Sequence, residues 1–142
     1  MASRAIAVAN NVVTALNSHA FAQTFTAERF IIPTLSLEGM SGLKVLVVPS
    51  AKQELPEDRQ YDAMLNIVQV GVMKRLSTID NSSIDPMLDL VEEINDFLKR
   101  LNMAGGGQWV GTDNSPLWDE EHLKSLSQFT SILKISYRGL AE

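Results

Sequence analysis

Hydrophobic positions recur every third or fourth residue in two stretches of the chain, and they alternate or run together in four others. The order of these stretches predicts the architecture. Between Ser3 and about Ser18, Ala5, Ile6, Ala9, Val12, Val13 and Leu16 keep helical spacing, with Ser3 placed to cap the first turn. Thr24 to Ile32 is rich in β-branched and aromatic residues and stops at Pro33, which cannot donate to a ladder, so it reads as a strand ending in a turn. Leu43 to Val48 is a nearly continuous apolar run bounded by Gly42 and Pro49, the pattern of a well-covered strand. Tyr61 to Leu76 reads as a long strand, with Met64, Val68, Val70 and Val72 on one parity and Leu65, Ile67 and Met73 on the other. Gly71 within it predicts a bulge or a close backbone approach.

The second helix carries the strongest pattern. Ile84, Met87, Leu88, Val91, Ile94, Leu98 and Leu101 form one stripe, Pro86 stands near the first turn, and Gly105, Gly106 and Gly107 stop the helix. Asp89, Glu92 and Glu93 come early while Lys99 and Arg100 come late, so the charges complement the helix dipole and the acids read as a solvated face. A short strand is expected around Gln108 to Gly111. Leu126 to Tyr137 closes the sheet, with Phe129, Leu133, Ile135 and Tyr137 on one parity and Thr130, Lys134, Ser136 and Arg138 on the other.

These elements predict an α+β fold, a mostly antiparallel β-sheet of about four to five strands packed by two main helices, with long loops or an extended hairpin. A single domain spanning residues 1–142 suffices. Two stretches lack an apolar period. The first, Pro49 to Tyr61, holds Lys52, Glu54, Pro56, Glu57, Asp58 and Arg59, and is either a solvated loop or an arm gripping a neighbouring subunit. Glu54, Glu57, Asp58 and Arg59 are its candidate contact residues. The second, Gly105 to His122, contains Trp109 and Trp118, which serve either as lids on the core or as anchors at an interface.

Composition narrows the function more than the fold. No apolar run approaches the roughly 20 residues of a spanning helix. The start of the chain, with Arg4 its one early basic residue and Asn10, Asn11 and Asn17 breaking the apolar run, reads as a folded helix of a cytoplasmic protein, not a signal peptide. The absence of cysteine removes disulfides, thiolate zinc sites and cysteine nucleophiles together. A net charge of -5 disfavours wholesale phosphate binding, though acids lining a conduit would repel nucleic acid and keep it moving.

No motif assembles chemistry. His19 and His122 have no partner at metal-ligand spacing, and Asp119, Glu120 and Glu121 are consecutive, so their side chains diverge. That run reads as a helix start capped by Asp119 or Ser115, and Asp113 with the three acids is only a weak candidate for a cation held at an assembled interface. The glycine cluster follows a helix, whereas a phosphate loop precedes one. No catalytic, cofactor or metal residue is therefore assigned, and a non-enzymatic role is expected.

The helix from Ile6 to Leu16, the strand Glu28-Arg29-Phe30 leading to Pro33, and the strand from Leu43 to Pro49 begin a larger pattern. It continues in the acidic helix Leu88-Asp89-Leu90-Val91-Glu92-Glu93-Ile94 and ends in the closing strand Phe129 to Arg138. Over nearly its full length, in the order and length of its elements, the chain resembles the tail-terminator, or tail-completion, proteins of tailed bacteriophages. The resemblance implies a structural virion protein of the tail or neck, assembled in the host cytoplasm. It implies a homohexameric ring that seats on the tail tube protein, stops tube growth and offers its other face to a head-completion or connector protein. DNA would only pass through the lumen, and no cofactor or membrane would be involved. No sharp residue motif defines that family, so the resemblance assigns no individual residue role.

Overall fold

The computed structural model describes residues 4–31, 42–56, 62–101 and 108–141, with the backbone alone at 4, 53–56, 62–64 and 139–141. Helix α1 (Arg4–Ser18) is followed by strands β1 (Ala27–Arg29), β2 (Lys44–Pro56) and β3 (Asp62–Arg75). Helix α2 (Asn81–Lys99), strand β4 (Gln108–Asp113), helix α3 (Glu120–Leu126) and strand β5 (Gln128–Ala141) complete the order. The five strands form one sheet in the order β1-β2-β3-β5-β4. Every neighbouring pair is antiparallel except β1 with β2, so the fold is α+β with a mixed, mostly antiparallel sheet.

One face of the sheet carries the core. Val45 and Val47 of β2, Val68, Val70 and Val72 of β3, and Phe129, Leu133, Ile135 and Tyr137 of β5 share that face. They meet Ala9, Val12 and Leu16 of α1 and Ile84, Met87, Leu90, Val91, Ile94 and Leu98 of α2. The sequence periods translate directly into this packing, because alternation puts every second strand residue on one side and three-to-four spacing puts one helical stripe against it. On the opposite face Leu46 and Met73 form a smaller buried cluster beneath Phe30.

Several boundaries differ from those the sequence predicts. The strand expected over Thr24 to Ile32 is only Ala27–Arg29. Its first residue is also held from the helix side, since the Asn17 amide accepts from Ala27 N at 2.7 Å and donates to Ala27 O at 3.1 Å. The stretch from Pro49 to Pro56 is not irregular, because β2 continues to Pro56 in antiparallel register with β3. A register shift between Pro49 and Ala51 absorbs one extra residue there. Pro49 is tolerated because β1 pairs β2 only at Val45, Leu46 and Val47, so beyond these residues β2 is the edge of the sheet and the missing N–H costs no ladder bond.

Gly71 makes no bulge, pairing Leu46 on one side and Ile132 on the other in unbroken register. Helix α2 begins earlier than its apolar stripe. Asp80 caps it, accepting from Ser83 N at 2.9 Å and from the Ser82 hydroxyl at 2.7 Å, which places Pro86 in the helix interior. The helix ends at Lys99, and Gly105 to Gly107 lie outside the described residues.

The Asp80 carboxyl is held below the ordinary carboxylate range, first by the Ser82 hydroxyl and then by Ser83. Its lowered folded pKa means that the cap contributes above the unfolded carboxylate range and is lost as pH falls through the folded value. Asp80→Ala is expected to lower the melting temperature by a few degrees at pH 7, with the gap to wild type closing in acid. Thermal melts by circular dichroism at both pH values check this, and a gap that persists unchanged in acid would remove the carboxylate from the account.

Candidate functional site

The two tryptophans lie on the side of the sheet where β4 and the turn after it flank β5. Trp109, on β4, pairs Tyr137 and is half-buried against the core. Its Nε1 donates to Thr112 Oγ1 at 2.9 Å, and that hydroxyl donates onward to Asn95 Oδ1 of α2 at 2.7 Å. The Lys99 ammonium stands 5.1 Å from the centroid of the Trp109 ring. Edge strand β4 is thus tied to α2 by a short polar chain and a cation over an aromatic face. Trp118 is half-buried and packs against the same core from the turn before α3. Both rings are placed as flanks of the core, and beside them Val110 and Leu117 are about half exposed, at 51% and 52%.

The four candidates from the 49–61 stretch have a different setting. Glu54 lies on β2 opposite Met64 in backbone register, near the end of the sheet's long ladder. Glu57, Asp58 and Arg59 lie outside the described residues. Strands β3 and β5 separate β2 from β4, so Glu54 and the tryptophans occupy opposite flanks of the sheet.

Helix α3 brings His122, Asp119 and Thr130 together. Asp119 caps the helix, its Oδ1 accepting from His122 N at 3.0 Å. Of the two caps the sequence offered, Asp119 is therefore the one used. His122 Nδ1 lies 2.8 Å from Thr130 Oγ1, which also accepts from Gln128 Nε2 at 3.0 Å. The direction of the Nδ1–hydroxyl bond follows the imidazole tautomer, and Nε2 stands 4.0 Å from Asp119 Oδ2, too far for a hydrogen bond. Thr130 is buried at 1% exposure, and the grouping fastens α3 to β5. Glu120 faces Lys124 at 4.0 Å, both largely exposed. Among the described residues no three His, Asp or Glu side chains gather closely enough to hold a metal ion.

Two features escaped the sequence reading. Asn114 donates to Ser131 Oγ at 3.0 Å and to Ile132 O at 2.9 Å, and Asp119 N donates to Thr130 O at 2.9 Å. Beyond the end of β4, the outer edge of β5 is therefore still paired, by a side chain and then by a turn. Beneath this turn a cavity of about 320 Å³ is lined by Gln69, Asp113, Asp119, Thr130, Ile132 and Lys134, a volume at the small end for a ligand site. No signal in the sequence marks these residues, because they converge only when four separate segments pack.

No protein-family model matches the chain, and no curated protein matches it either. Among the described residues no helix is long and apolar enough to cross a membrane.

The second feature is an orphan in the core face. Asn66, between Lys52 and Tyr137 in register, is 6% exposed, and its Oδ1 has no hydrogen-bond partner among the described residues. A buried acceptor left unpaired carries its full desolvation cost. Asn66→Leu, of similar volume, is expected to stabilise the fold by about 1 kcal/mol in urea unfolding. A loss of stability would mean that the amide is satisfied in solution.

Proposed function

We propose that the chain is a structural subunit of the neck of a tailed phage or phage-like particle, a tail terminator. Its homohexameric ring caps the tail tube, ends tube polymerisation and gives the head-side connector its docking surface. The role is mechanical and not enzymatic. Its partners are further copies of the chain, the tail tube protein and a head-completion or connector protein, with DNA passing through the lumen.

The observation that carries this reading is the length of the central strands relative to the core. On β5 the described core reaches Tyr137, opposite Asn66 of β3, yet the β2–β3 ladder continues from Gln53 opposite Leu65 to Pro56 opposite Asp62. β5 accompanies β3 over the same stretch, from Leu65 opposite Arg138 to Asp62 opposite Ala141. Four further residues of strand add about 13 Å at the usual rise per residue. A rigid three-stranded extension of this kind suits a subunit that reaches across to its neighbours, and the resemblance in element order points to the same assembly.

Removing the gene from its particle and imaging the products by electron microscopy tests the reading. Overlong or irregular tails without heads are the expected result, since only a missing stop lets the tube keep growing. Normal-length tails unable to join heads would move the chain to the connector side of the neck. Wild-type particles would overturn the neck reading and leave a ligand- or protein-binding module, for which the cavity beside Lys134 would be the place to look.

A further inference from the structure

The two broad faces of the molecule carry opposite charge. On α2, Asp85, Asp89, Glu92 and Asp96 are all exposed. At 3.6 residues per turn they fall within an arc of roughly 60°, on the side of the helix away from its buried stripe. None of the four is ion-paired among the described residues. The arrangement goes beyond dipole matching, because the stripe runs past the first turn, where the dipole acts, and as far as Asp96.

The other broad face is that of the sheet, on the side away from α1 and α2, where His122 and the turn before α3 cover the end at Thr130. The strand registers put Lys44, Arg75, Lys134 and Arg138 on that face. Lys134, Arg75 and Arg138 are exposed, and among the described residues Lys134 has no ion pair. The floor between them is half-buried, formed by Leu65, Ile67 and Ile132 with Gln69. Glu28, on β1, and Asp113, at the β4 edge, are the acids on the same parity among strand residues whose side chains are described, so the four bases outnumber them there.

We propose that copies of this chain dock head to tail, with the acidic outer face of α2 on one copy set against the basic, partly apolar sheet face of the next. The proposal rests on the ring reading above and names the surfaces that would build the ring. Because the two charged faces lie on opposite sides of one body, a single repeated step satisfies both on every subunit. Such a contact is heterologous, and a step whose rotation closes gives a ring. A nucleic acid on the sheet face would meet the same bases, but it would be opposed by the net charge of -5 and would leave the α2 stripe unmatched. A second copy answers both faces at once.

The test uses two charge-reversed proteins, Asp89→Lys with Glu92→Lys in one and Lys134→Glu in the other, and sedimentation velocity as the readout. All three positions are exposed, and circular dichroism confirms that each variant folds. Wild type is expected to associate at about 0.05 M salt and to dissociate at least tenfold more readily at about 0.5 M, where screening shortens the range of the charges. Each variant alone places like charges together and is expected to be monomeric. An equimolar mixture restores complementarity at every contact and is expected to associate again, with the two proteins alternating.

A wild type that stays monomeric, variants that assemble as wild type does, or a mixture that stays monomeric would each overturn the proposal. These outcomes are separable from failure of the neck reading. Rings indifferent to charge reversal would discard this interface alone, whereas the gene-removal experiment judges the neck role without reference to which surfaces touch.

Discussion

Phe129→Ala is expected to cost about 3–5 kcal/mol of folding stability, a large part of what a domain of this size has. The ring is fully buried at the start of β5, two residues after Ser127 turns the chain out of α3. Ser127 adopts the left-handed conformation, φ 51, and its backbone oxygen accepts from Leu76 N at 2.7 Å. That junction therefore lies next to the end of β3, and Phe129 joins the core cluster on which Trp118 and Leu123 also pack. Truncating the ring opens a cavity that a backbone held by sheet pairing on one side and a helix cap on the other has little freedom to fill. Urea unfolding measures the loss. A change below about 1 kcal/mol would mean that the site collapses freely and that the core is looser there than its burial implies.

Tyr137→Phe tests a site further along the same strand, and its cost shrinks and then reverses as pH rises above the ordinary phenol range. The phenol is 1% exposed and its hydroxyl donates to Leu98 O, in the last turn of α2, at 3.1 Å. Leu98 O also accepts from Leu101 N at 3.3 Å, so the phenol hydroxyl adds a second partner at the end of α2 and fixes the helix to β5. At neutral pH its loss is expected to cost about 1 kcal/mol. Burial also pushes the phenol pKa well above its ordinary value of 10.0, because the anion would lose its hydration.

The sign follows from linkage. With the folded pKa raised, the contribution of the protonated phenol is complete below the unfolded pKa and falls away as pH rises above it. Wild type is thus expected to lose about 1.4 kcal/mol per pH unit above pH ~10 from this residue, whereas the phenylalanine variant lacks that slope. Urea midpoints of the two proteins between pH 9 and about 11.5 should converge and then cross. Parallel curves would show that Tyr137 ionises in the folded state as easily as in the unfolded one. The comparison isolates Tyr137 because the other tyrosine is common to both proteins.

These two residues also show what was legible in advance. Phe129 and Tyr137 stand on the buried parity of a strand whose alternation is visible in the sequence, and the stripe of α2 that meets them is equally plain. Local periodicity records which side of an element is apolar, so the two main helices, the sheet and most of the core could be read without coordinates. The closing segment after Asp119 was legible for a related reason, since capping depends on residues three apart in sequence.

Features depending on distant residues were not legible. Pro49 looked like the end of a strand, and only the shortness of β1 made it an edge position at which a proline is harmless. Nothing local to Asn95, Thr112 and Trp109 says that they form one chain of hydrogen bonds, because α2 and β4 bring them together only through packing on β5. The same holds for the turn that seals the β5 edge, and for the cavity beneath it.

The sequence by itself determined the α+β class, the order of the main helices and strands, and the apolar faces. It did so because each depends on spacing within one segment. The tertiary structure alone decided the strand order, the one parallel pair, the length of the ladder beyond the core, and the placement of an acidic helix face opposite a basic sheet face. Each of those depends on which segments become neighbours, a matter of pairing and packing across dozens of residues that no local pattern encodes.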